Sequence, residues 1–130
     1  MPIEFICLIC AVVLGLAQLM LAHAAAVRQR GMEWNAGNRE GPELPLKGPA
    51  LRLALAFENF KETFPFFAVA LMMVMFSGQM GVLSTWGALL YLGARLVYVP
   101  VYAAGILYLR SGVWFVSMVG IALVIAALFF

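Results

Sequence analysis

Residues 5–27 read FICLICAVVLGLAQLMLAHAAAV, 23 consecutive positions without an Asp, Glu, Lys or Arg. About 20 apolar residues of helix are needed to cross the ~30 Å hydrocarbon core of a bilayer, so this run predicts a membrane-spanning helix. Three more windows of that length follow: Leu53–Phe76 with a polar insert, Trp86–Leu109 interrupted by Arg95, and Gly112–Phe130. The whole chain agrees with this reading. It is 65% hydrophobic, has a mean hydropathy of +1.02, and holds eight Lys or Arg and six Asp or Glu in 130 residues. Ordinary soluble domains carry about 25% charged residues. The expected fold class is therefore an all-α membrane protein: one four-transmembrane-helix bundle over residues 1–130, with helices at about 5–27, 52–76, 86–109 and 112–130.

Ala22-His23-Ala24 resembles the small-x-small site of a cleaved signal peptide. The residues before the apolar run include Glu4 and no Lys or Arg, whereas a signal peptide opens on positive charge, so the first span is expected to remain as a helix. Orientation follows from basic residues in short loops. Arg28, Arg30, Arg39 and Lys47 lie in the first connection with Arg52 at its edge, Arg110 follows the third span, and Ser77–Thr85 has none. Loops one and three are thus expected on the cytoplasmic side, with both termini facing away from it.

A net charge of +2 is too small to suggest a nucleic-acid partner. Cys7 and Cys10 form a Cys-x-x-Cys, but inside the first span and without a basic neighbour they read as small packing residues. His23 has no second metal-type ligand near it in sequence, so no metal is expected. The first connection is long for a helical bundle and rich in Gly and Pro, which points to a functional or partner-contacting loop. Arg110-Ser111-Gly112 is expected to form the tight reversal between spans three and four. Gly15, Gly105 and Gly120 read as sites of close helix approach, and Trp86 and Trp114 as interfacial anchors.

Arg52, Leu55, Asn59, Glu62 and Phe66 recur at three- and four-residue steps and share one helix face. On span three, Arg95, Tyr98 and Tyr102 share another. Charges inside a membrane normally face a partner or a watery cavity, so a buried Glu62–Arg95 ion pair is the economical expectation. Arg28, Arg30, Arg52 and Arg110 would gather at one membrane face beside Asn59, Tyr98 and Tyr102. Guanidinium forks, an amide and phenol hydroxyls suit a small anionic, peptide-like ligand arriving from the cytoplasm. Positive-inside topology alone would also put those arginines there. Pro65 and Pro100 are expected to kink spans two and three, and Lys61 to pair with Glu58 or snorkel.

With these residues in place, the chain resembles the MAPEG family, the membrane-associated proteins in eicosanoid and glutathione metabolism, and is most similar to its short bacterial members. The likeness covers nearly the whole chain through Gly37-Asn38-Arg39-Glu40, Arg52-x6-Asn59-x2-Glu62-x2-Pro65, Ala94-Arg95-x2-Tyr98-x3-Tyr102 and Leu109-Arg110. It implies a homotrimer in a bacterial inner membrane, binding glutathione between subunits near the cytoplasmic face. It also implies a glutathione-dependent transferase or peroxidase acting on lipophilic electrophiles. By resemblance, Asn59, Glu62, Tyr98, Tyr102, Arg52 and Arg28 or Arg30 would hold the tripeptide and Arg110 would activate its thiol. Family enzymes commonly carry an arginine where this chain has Leu55, and a tyrosine where it has Thr63. A non-catalytic, lipid-binding branch of the family implies an alternative, a membrane module for a lipid or a partner membrane protein.

Overall fold

The computed structural model describes residues 1–30 and 46–130, the side chain of Arg30 excepted, so Gly37–Glu40 and the Arg30 side chain lie outside the described residues. The described residues form four helices and no strand: α1 (Ile3–Arg30), α2 (Gly48–Ser77), α3 (Val82–Ala104) and α4 (Leu107–Ala127). Each is long and apolar enough to cross a membrane. The short connections at 78–81 and 105–106 make α3 run antiparallel to α2 and α4, and the end of α1 lies beside the start of α2. Large apolar side chains such as Val13, Leu16, Met20, Phe66 and Phe115 stay exposed, as expected where the surrounding medium is lipid.

The boundary between the third and fourth helices differs from the sequence expectation. Gly105 takes φ 76°, a left-handed conformation that a residue without Cβ adopts at low cost. Its N–H reaches Tyr102 O at 3.0 Å, and the N–H of Ile106 reaches Val101 O at 3.3 Å, the paired bonds that close a helix C-terminus. The chain therefore reverses at Gly105-Ile106, and Arg110-Ser111-Gly112 belongs to the first turns of α4. Arg52 completes this end by donating from Nε to Ala103 O at 2.8 Å, which satisfies a terminal carbonyl with a cation.

α1 packs on α2 and α3, α4 packs on α3 and α2, and α1 and α4 share no contact among the described residues. The closest approach joins α3 to α4, where a Cβ added to Gly87 would lie 2.7 Å from Gly120 O and one on Gly120 would lie 2.7 Å from Tyr91 N. Gly15 likewise leaves room on α1 for the ring of Phe60. Gly105, expected in the same role, is a helix terminator instead. In the core the rings of Phe67 and Tyr91 stack at 4.1 Å, and the Tyr91 hydroxyl meets Thr63 Oγ1 at 2.9 Å.

Both membrane faces are tied by polar side chains. On the side of the chain termini, buried Glu4 accepts hydrogen bonds from Ser84 Oγ at 2.8 Å and Thr85 Oγ1 at 2.7 Å, fastening α1 to the start of α3. On the other side, Gln29 Nε2 donates to Lys47 O at 2.8 Å and Gln29 Oε1 accepts from Lys47 N at 3.1 Å. That reciprocal pair holds the end of α1 against the start of α2.

Candidate functional site

A cleft of ≈ 620 Å³ opens between α2, α3 and α4 at the arginine-bearing end. The i, i+3, i+4, i+7 phase of α2 brings Leu55, Glu58, Asn59 and Glu62 to its wall. Tyr98 and Tyr102, one turn apart, come from α3, and Arg110, Ser111, Trp114 and Phe115 from the first three turns of α4. Five of the residues selected from sequence thus line one cavity: Asn59, Glu62, Tyr98, Tyr102 and Arg110.

A ladder of cations and rings backs the cleft. The Arg95 guanidinium lies over the Tyr98 ring at 4.1 Å, Tyr98 meets Tyr102 edge to face at 5.5 Å, and the Arg110 guanidinium lies over Tyr102 at 4.7 Å. Each cation–ring contact stabilises the arrangement by about 0.5–2 kcal/mol, more where water is excluded. Arg110 is thereby held at the mouth with donors still available to a ligand.

The expected Glu62–Arg95 ion pair does not form. Arg95 is 1% exposed and donates from Nη1 to Asn59 Oδ1 at 2.8 Å, while Glu62 has no ion-pair partner among the described residues. The end of α3 explains the difference. Counting back from Ala103, which bonds Arg52, places Arg95 about 12 Å into the membrane, and Asn59 lies about 10 Å past Arg52 at 1.5 Å per residue. Glu62 is about 15 Å past it, nearly one turn deeper. With α3 ending at Ala104 and not at Leu109, Arg95 lies nearer the depth of Asn59 than that of Glu62.

Two further selected residues stand outside the cleft. Arg52 is engaged at the α3 terminus, and Arg28 is exposed at the end of α1, a helix with no lining residue among the described side chains. Lys61 pairs with Glu58 at 2.7 Å, one of the two expected outcomes. An apolar groove of ≈ 390 Å³ shares Asn59, Glu62 and Trp114 with the cleft and continues between α2 and α4 past Phe66, Met118 and Ile121.

A model of the MAPEG family matches residues 7–130, nearly the whole chain. The chain belongs to the MAPEG family. No curated protein and no solved structure matches it. Membership makes it an integral membrane protein of a family of glutathione and eicosanoid metabolism. Ser111, Trp114 and Phe115 line the cleft of this MAPEG protein but were not selected from its sequence. Their signal was present: Trp114 follows Arg110 at i+4, which shows once α4 is started at Leu107. Thr63, at the family's tyrosine position, lines the apolar groove and bonds Tyr91.

Proposed function

We propose that this MAPEG protein is a membrane-bound glutathione-dependent transferase or peroxidase for lipophilic electrophiles, working as a homotrimer with its arginine-bearing end toward the cytoplasm of a bacterial inner membrane. The observation that carries the reading is the single cleft gathering Asn59, Glu62, Tyr98, Tyr102 and Arg110. A tripeptide thiol offers carboxylates and peptide carbonyls for the donors of Arg110, Asn59 and the tyrosines, and an ammonium for the carboxylate of Glu62, which pairs with no described residue.

Arg110 has a chemical reason to be the activating group. A free thiol has a pKa of ~8.5, and a guanidinium beside it favours the thiolate, the nucleophilic form. The first turn of α4 adds its partial positive charge at the same place. In a transferase cycle the thiol proton leaves to solvent, the thiolate sulfur forms a bond to the electrophilic carbon, and the leaving group departs with its electron pair. The adjoining apolar groove suits the lipophilic part of an electrophile delivered through the bilayer.

Arg28 would act on this cleft from a neighbouring subunit, since no described side chain of its own chain's α1 lines it. Leu55 favours the other reading, a non-enzymatic module binding a lipid or a partner membrane protein, because an apolar residue there removes a fork for a ligand carboxylate. Titration calorimetry of the purified protein with glutathione, followed by conjugation of a chlorodinitrobenzene, separates the two. Binding and turnover are expected, with Arg110→Ala reducing turnover by about 100-fold, the lower end of what removing one anion-stabilising donor from an active site costs. Neither heat nor turnover at millimolar glutathione would leave the binding-module reading standing.

A further inference from the structure

Asn59 has two chemically opposite ends, a carbonyl oxygen that accepts and an NH2 that donates. A guanidinium only donates, so the end turned toward it must be the oxygen. Arg95 imposes that choice from a buried seat, with Nη1 2.8 Å from Asn59 Oδ1. The guanidinium is itself held in place by the Tyr98 ring at 4.1 Å and the Phe60 ring at 5.8 Å. Asn59 Nδ2 makes no hydrogen bond to a described residue, and Asn59 is half-buried and lines the cleft, which leaves its NH2 for that cleft.

We propose that Arg95 is a positioning residue that locks the Asn59 amide with its NH2 toward the cleft, so that this position offers donors alone and selects a ligand oxygen, a carboxylate or a peptide carbonyl. A flipped amide would set its NH2 against the guanidinium donors and strand both, a mismatch that disfavours the flipped form by about tenfold or more. Glu62, less than one turn further along α2, supplies the complementary acceptor. Donors at Asn59 and Arg110 with an acceptor at Glu62 fix one direction for a ligand that carries both an ammonium and carboxylates. The selectivity for a ligand oxygen rests on the cleft being the thiol-peptide site; the locked amide itself does not.

The test has two arms on the full chain in lipid nanodiscs. In the first, the protein is labelled with 15N-asparagine, and the side-chain NH2 signals of Asn59 are assigned by their loss in Asn59→Asp. These signals are expected to shift clearly in Arg95→Met and to stay near their original positions in Arg95→Lys, which keeps a donor. Signals unmoved by Arg95→Met overturn the proposal whatever glutathione does. In the second arm, glutathione affinity should fall by about tenfold in Arg95→Met, recover in part in Arg95→Lys, and fall no further when Arg95→Met is added to Asn59→Ala. Equal losses in both backgrounds overturn it, because Arg95 would then act without Asn59. A wild-type protein that binds no glutathione, yet shows the shifted amide, keeps the lock and overturns the proposed function instead. If Arg95→Met does not fold, the wild-type protein labelled with 15N-arginine and 13C,15N-asparagine decides: a guanidinium seated on the Asn59 side-chain carbonyl supports the lock, and one seated against its NH2 overturns it.

Discussion

Leu55 is the residue at which the cleft departs from a fully polar ligand site. It is 43% exposed, lies one turn before Asn59 on α2 and lines the cavity with Glu58 and Glu62. An arginine there would add a planar fork suited to a carboxylate without displacing a packed side chain. Leu55→Arg should therefore tighten glutathione binding by about tenfold, the equivalent of one charge-assisted hydrogen bond, in a titration at fixed salt. No gain would mean that the bound ligand has no carboxylate within reach of this turn. The side chains of the cleft were largely legible beforehand, because Asn59, Glu62, Tyr98, Tyr102 and Arg110 are costly in a membrane and so declare themselves. Which of them touch one another was less so. Glu62 and Asn59 differ in depth by about 4.5 Å, and choosing between them as the partner of Arg95 requires knowing where α3 ends to within one turn.

At the scale of the elements, the four spans could be read from apolar length, but the border of α3 and α4 could not. Soluble helices stop at clusters of polar residues, whereas Val101–Leu109 is apolar on both sides of the turn, and Gly105 reads there as one more small residue. Only its left-handed backbone shows its duty. Gly87 and Gly120 have the role that Gly105 lacks, since lipid gives little drive for helix association and backbone contact must supply it. Gly120→Val should force α4 away from Tyr91 and cost about 1–3 kcal/mol, the range for overpacking a close contact. Thermal unfolding in a fixed detergent measures it. Gly93→Ala is the matched control. A Cβ at Gly93 meets nothing within 4 Å, so this change should raise stability by up to about 1 kcal/mol through backbone entropy.

For the whole molecule, the arrangement of the helices decides how a binding site can be completed. Among the described residues, α1 and α4 share no contact, and the cleft takes its lining from α2, α3 and α4. Arg28 is exposed at the arginine-bearing end and does not line the cleft of its own chain, so in the proposed trimer it would serve the cleft of a neighbouring copy. A trimer closed by one repeated, head-to-tail interface does this three times, each site using Arg110 of one subunit and Arg28 of the next. That geometry predicts complementation. Arg28→Ala and Arg110→Ala should each bind glutathione weakly when expressed alone. Co-expressed at equal levels they form mixed trimers in which an interface pairs the intact Arg110 of one subunit with the intact Arg28 of its neighbour. Random assembly gives that ordered pairing at about a quarter of the interfaces, so about a quarter of the wild-type binding capacity should return at wild-type affinity. Cross-linking confirms that the mixed trimers are present. Sites built within one chain would show no recovery at all, because every chain in the mixture lacks one of the two arginines.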